Sequence, residues 1–214
     1  EMVIRDWSSD VCSSDLSTFS SNAQGFKVKA KGEKSFTFED KGGRNQATFF
    51  SRTILEDITG ISNDIKGSVS FDVENVAKTL KGKISVSVKS IKTGISMRDE
   101  HLAGTDWLNS EKYPDITFEI KKVNKVVESK DNKLTLNLTA DFTLKGVTKS
   151  ITTDFTLVYL DENEQTKMRA PGDLLNVRGK FSIKLSDFNI KSKVIPSKVS
   201  DDIDIEVNVV GNSN

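Results

Sequence analysis

The sequence predicts an all-β fold, built as a sandwich or as a closed up-and-down barrel. Three observations carry this. Apolar side chains recur with period two, the spacing that places them on one face of a strand, rather than with the helical period of 3.6. About nine such segments are separated by turns containing Gly, Pro, Asn or Asp. Several segments are long, and closure into a barrel favours long strands, because tilted strands must run the full wall.

The elements follow in chain order. Phe36 and Phe38 open the pattern, then Ala47 and Phe49 beyond the Gly42-Gly43 turn, then Val69, Phe71 and Val73. Ile84, Val86 and Val88 alternate with Lys83, Ser85, Ser87 and Lys89. The stretch Ser96–Ser110 breaks the period; Met97, Leu102 and Trp107 share one face of a short helix, with Ser96 as its N-cap, Asp99 as a box-like partner and Gly104 as its end. Strands resume at Ile116, Phe118 and Ile120. The cleanest run is Leu134, Leu136, Leu138, Ala140, Phe142 and Leu144, alternating with Thr, Asn and Asp. After the turn Lys145-Gly146-Val147 the alternation passes through Ile151–Tyr159, and it returns at Phe181–Leu185 and Ile203–Val209. The other face of these strands carries Lys, Ser, Thr, Asp and Glu, so water and not lipid surrounds the wall.

Composition narrows the function. The chain has 214 residues, with no linker-like tract, and reads as one domain. Lys+Arg and Asp+Glu are 31 each, so there is no basic excess for nucleic acid to meet. No apolar run nears the ~20 residues of a membrane helix. One Cys and one His fall short of a disulfide or a zinc ligand set.

Residues 1–16 are set aside. Asp6–Leu16 reads DWSSDVCSSDL and resembles a sequencing adapter translated in one frame, which makes Trp7 and Cys12 non-native. Residues 17–24 read as a disordered segment or the remnant of a signal peptide, with small Ser21 and Ala23 ahead of Gln24. The barrel domain is expected at 25–211, with a short tail at 212–214.

The middle of the chain resembles a known family. Thr93-Gly94, Arg98-Asp99, His101-Leu102, Gly104, Asp106 and Tyr113-Pro114-x-Ile116-Thr117-Phe118 keep the spacing of the YceI-like, polyisoprenoid-binding proteins. The likeness continues at Asp141–Lys149, around the G-V-T-K turn, and at Lys180–Ile190. It departs at Leu185, where the family often has Arg, at Asn189, where it often has Gly, and at Trp107, where Phe is common. The resemblance spans roughly Gly32–Val209. It implies an eight-stranded antiparallel lipocalin-like barrel with a short helical insertion, whose interior holds a polyisoprenoid, a quinone or a fatty-acid-type chain for transport or storage.

On that reading the ligand is lined by Phe36, Phe38, Phe49, Ile84, Val86, Val88, Leu102, Trp107, Phe118, Leu136, Leu138, Phe155 and Ile183. Leu136, Leu138, Ile84 and Val86 are expected near mid-barrel. No cofactor is expected beyond the bound lipid. Nucleic-acid partners and an integral membrane span are not expected; a homodimer is compatible with the sequence. The expected location is periplasmic or secreted, with the cytoplasm left open. Two other readings stand beside this one: a small-molecule enzyme on the same barrel, and a structural β-domain with a filled core.

The polar candidates are few. His101 beside Asp99 suits a general base, but no nucleophile motif accompanies it, and hydrogen bonds tying the insertion to a strand are its plainer role. Arg98 and Asp99 read as an ion pair or as backbone partners. Asp99, His101 and Asp106 could in principle hold a metal, but no second His joins them. Lys191, Lys193 and Lys198 form a modest basic stretch around Pro196, suited to anionic headgroups or to a solvated loop.

Overall fold

The computed structural model describes residues 25–213. The artefact expected at 1–16 and the segment expected at 17–24 lie outside the described residues, as does Asn214. Ten β-segments are present: β1 (Glu33–Thr37), β2 (Gln46–Arg52), β3 (Asp57–Ser62), β4 (Ile65–Asp72), β5 (Lys81–Ser87), β6 (Asp115–Lys130), β7 (Lys133–Leu144), β8 (Val147–Leu160), β9 (Leu174–Lys184) and β10 (Asp202–Ser213). Short helices α1 (Val76–Thr79), α2 (Ser96–Ala103) and α3 (Glu164–Lys167) join them, with 3-10 turns at Val88–Ser90 and Leu185–Phe188.

The ten segments make an eight-stranded antiparallel barrel. β1 and β2 follow one another along a single edge of β10: Phe36 and Thr37 face Ser213 and Asn212, and Gln46–Ser51 face Asn208–Ile203. They are two halves of one strand. β3 and β4 are two halves of the next, since β3 pairs with β2 and β4 with β1. The sheet then runs β4 to β10 in chain order and closes on β1 and β2. The ninth strand counted from periodicity is therefore half of a broken strand.

The break between β1 and β2 is held by Asn45, which is fully buried. Its side-chain amide donates to the carbonyls of Phe38 (2.8 Å) and Val210 (3.2 Å), and its oxygen accepts from the Val210 amide (2.8 Å) and Arg169 (3.0 Å). One side chain thus replaces the ladder bonds lost where β10 passes from one half-strand to the other. Asp40 beside it takes bonds from the Arg44 backbone and guanidinium.

The sequence period is visible in the packing. In β7 every second residue from Leu134 to Leu144 is buried. In the far half of β6 the inward residues are Ile120, Val123 and Val126, three apart, because register shifts against β7 fall between them. Each bulge adds one residue and turns the next side chain inward again. The hairpin from β7 to β8 turns at Lys145 and Gly146, both with positive φ, the geometry that matches strand twist. A β-carbon at Gly146 would run into the Tyr113 ring, so the family-like Tyr113 and Gly146 pack on one another.

One end of the barrel is solid. Phe36 stacks on Phe71 (centroids 5.5 Å) and meets the edge of Tyr159 (5.5 Å), while Phe26 packs on both Phe71 and Tyr159. Leu134, Leu136, Leu175, Val73 and Val76 are buried around them. The Tyr159 hydroxyl donates to Asp173 (2.6 Å), and burial, then that carboxylate, raise its pKa. The other end carries α2, the turn Leu185–Phe188 and the loop 190–200.

Candidate functional site

The open end is hollow. A cavity of about 360 Å³ is lined by Phe49, Ile58, Ile91, Leu102, Trp107, Leu108, Ile116, Phe142, Leu144, Ile183, Leu185, Val194, Val199, Ile203 and Ile205. Polar lining comes from Ser51, Glu56, Thr93, Arg98, His101, Ser192 and Lys198. A second cavity of about 100 Å³ lies against Phe49, Ile65, Ile84, Val86, Phe118, Phe142, Phe155, Phe181 and Val207. A third, about 30 Å³, lies against Val69, Leu80, Ile84, Phe118, Leu138, Phe155, Leu157 and Val177.

The three are in line. Phe49, Ile116, Phe142 and Ile205 line both the first and the second; Ile84, Phe118 and Phe155 line both the second and the third. Rings form the partitions: Phe118 lies 5.2 Å from Phe155 and 5.7 Å from Phe181, centroid to centroid. Phe49 lies over Gly60 of β3, its register partner, where any β-carbon would collide with the ring. Along β7 the first cavity touches Leu144 and the third Leu138. Six residues at ~3.4 Å each give roughly 20 Å of strand, or about 15 Å of depth at a tilt near 40°.

The expected lining residues divide by depth. Phe49, Leu102, Trp107 and Ile183 line the first cavity; Phe49, Ile84, Val86, Phe118 and Phe155 the second; Ile84, Phe118, Leu138 and Phe155 the third. Phe36, Phe38, Val88 and Leu136 lie elsewhere in the core. Phe36, Phe38 and Leu136 are fully buried, Phe36 inside the solid aromatic end, and Val88 sits in a 3-10 turn with its side chain buried. Residues not singled out as ligand contacts complete the mouth. Ile58, Ile91, Val194 and Val199 stand outside any alternating run, so no period marked them.

α2 departs from the expected cap. Ser96 is its first helical residue, Ile95 occupies the N-cap with no side-chain bond, and Gly104 ends it. Asp99 turns away from the helix start: it accepts from the Thr93 amide (2.8 Å) and hydroxyl (2.7 Å). These bonds, then Lys92, hold its pKa below the usual carboxylate value. Arg98 pairs not with Asp99 but with Glu56 at the start of β3 (3.2 Å). His101 is exposed at the rim of the first cavity, and its imidazole makes no hydrogen bond among the described residues. Asp99, His101 and Asp106 do not gather, and the described residues hold no group of three metal-ligating side chains. No helix among them is long and apolar enough to cross a membrane.

The rim thus carries the charged groups, with Arg98 and Glu56 paired and His101 and Lys198 unpaired among the described residues, around a largely apolar shaft. Lys145 reaches the Asp106 carbonyl (3.3 Å), and Tyr113 covers Gly146. The motif residues from Thr93 to Lys145 lash the helical insertion to the β7–β8 hairpin.

Comparison with known proteins agrees with this architecture. The family model described as "YceI-like domain" matches residues 20–211. Protein YceI of Escherichia coli O17:K52:H18 is 35% identical over 152 residues, 71% of this chain and 72% of its own. The crystal structure of Burkholderia cenocepacia BcnA superposes with a TM-score of 0.63 at 22% identity, over 80% of this chain and 99% of that one. A polyisoprenoid binding domain from Saccharophagus degradans superposes with a TM-score of 0.60 at 12% identity, over 86% and 100%.

Proposed function

This chain belongs to the YceI-like family, and from that premise we propose that it binds a long-chain apolar lipid inside the barrel, for transport or storage and without catalysis. The observation that carries the reading is the cavity of about 360 Å³, largely apolar along its shaft with its charged groups at the rim, and two smaller cavities without charged lining in line behind it. Its volume falls in the range of ligand pockets, roughly 300–1,000 Å³. A shaft of Ile, Leu, Val and Phe offers no group to activate water or hold a developing charge. It offers hydrocarbon a dry surface.

The energetics favour a tail over a head group. Burying one CH₂ contributes about 0.8 kcal/mol, so one five-carbon isoprene unit contributes roughly 3–4 kcal/mol gross. Micromolar affinity needs about 8 kcal/mol after association costs of several kcal/mol. Four buried units, roughly 12–16 kcal/mol gross, reach that without a polar anchor. The neighbour of the same fold that binds polyisoprenoids puts that class first among those to test, with quinones and fatty acids after it. A periplasmic or secreted location belongs to the proposal; cell fractionation of the source organism tests it.

The decisive experiment is organic extraction of the purified protein with mass spectrometry of the extract, followed by titration with polyprenols of increasing length. A retained long-chain lipid, or saturable binding that strengthens with chain length, is the expected result. An empty extract and no binding at any length would leave the filled β-domain as the better reading.

A further inference from the structure

We propose that the open end of the barrel docks on an anionic lipid bilayer, so that the guest passes between membrane and shaft without crossing water. The inference rests on the lipid-binding reading and adds the surface through which the lipid moves.

Exposed apolar side chains are its first support. Ile54 is 104% exposed and Leu55 69%, at the tip of the turn between β2 and β3; Met97 is 66% and Ile95 50%, at the start of α2. The ion pair between Glu56 and Arg98 ties these two tips together, and both partners line the first cavity. Four large apolar residues therefore stand in water beside the mouth of an apolar shaft. Val127 and Met168, also exposed, lie on β6 and beyond α3, away from that mouth. Isolated exposed residues need no explanation, but a group flanking a pocket marks an interaction surface.

Charge selects the occupant. Lys191, Lys193 and Lys198 are exposed, and none has a carboxylate partner among the described residues. Their loop borders the same mouth: Val194, Lys198 and Val199 line the first cavity, and the Ser200 amide donates to Ser51 (2.9 Å). Of the carboxylates at this end, Glu56 is tied to Arg98, Asp99 to Thr93 and Lys92, Asp201 to the Ser186 amide and hydroxyl, and Asp202 to Lys184, while Asp57, Glu100 and Asp187 have no ion pair among the described residues. Apolar tips and lysines round one mouth match a bilayer whose headgroups are anionic and whose acyl region lies just below.

The test is flotation of the full chain with vesicles of phosphatidylcholine alone or with a third phosphatidylglycerol. The wild type is expected to float with the anionic vesicles, and less so as added salt screens the lysines. In a Leu55→Asp, Met97→Asp double variant the partition coefficient is expected to fall about tenfold or more, since interfacial binding scales with buried apolar area. Val127→Asp should partition like the wild type. The double variant should keep the same affinity for detergent-solubilised polyprenol, which separates docking from guest binding. No flotation of the wild type, unchanged flotation of the double variant, or a dimer that the same two substitutions dissolve would overturn the proposal.

Discussion

At the scale of single residues, two titratable types stand in opposite surroundings. The His101 side chain was expected to tie the insertion to a strand, yet it is exposed and without a hydrogen bond among the described residues. His101→Ala should therefore change unfolding free energy by less than about 0.5 kcal/mol, as surface substitutions do. Denaturant unfolding measures this, and a loss above 1 kcal/mol would require a partner not described here. Asp40 is the opposite case. The Arg44 guanidinium bonded to it holds its carboxyl well below the usual range. A depressed folded pKa contributes stability that is full above the unfolded value, near pH 4, and is lost as pH falls through the folded value. Melting temperature should drop on acidification below about pH 4, and Asp40→Asn should shrink that drop while lowering stability at neutral pH by about 1–3 kcal/mol. Thermal melts of both proteins from pH 7 to pH 2 decide it.

At the scale of elements, strand existence was legible wherever period two was unbroken, and β7 is the plainest case. β3 was not legible, because its inward positions are Ile58, Gly60 and Ser62, only one of them apolar and large. The sequence offers no contrast there, although Gly60 is small for a reason: it makes room for Phe49. The far half of β6 hid for another reason, since bulges convert the period from two to three at Ile120, Val123 and Val126. Asn45 was equally invisible, one polar residue beside a turn. Its role predicts that Asn45→Ala, which leaves the Phe38 and Val210 groups unpaired in a buried site, will cost about 2–3 kcal/mol, more than the same change at exposed Asn189. Chemical denaturation of the two variants compares them directly.

At the scale of the molecule, barrel closure and an apolar interior were readable, whereas the division of that interior was not. Alternation tells which face is inward but not how far along the axis a residue stands. Phe36 and Leu136 obey the same pattern as Val86 and Leu138, and only tertiary packing places the first pair in the core away from the cavities and the second pair against them. Val86→Trp tests the division. In an open shaft the ring fills the second cavity, so stability holds and the longest polyprenol bound becomes shorter. In a packed core the same change overpacks it and costs about 1–3 kcal/mol. Melting temperature and a binding series on one variant distinguish the two; a strongly destabilised variant beside a wild type that binds no chain would refute the shaft.

The outer edge of β3 is joined to the following wall by a single bridge, Ile61 with Lys92, whose amides exchange bonds of 2.9 and 2.8 Å, and by the Ser62–Ser90 hydroxyl pair. The ladders of β9 with β10 and of β7 with β8 run far longer, over eleven and twelve residue pairs. A tube laced all round fills only end-on, and its bore then limits the widest part of the cargo. If the shaft takes a lipid, one loosely stitched side near its mouth would let the tail enter broadside, as a thread enters a slit. The bulky end of an amphiphile would then not have to pass the opening, and cargo would be sorted by the thickness of its tail rather than the size of its head.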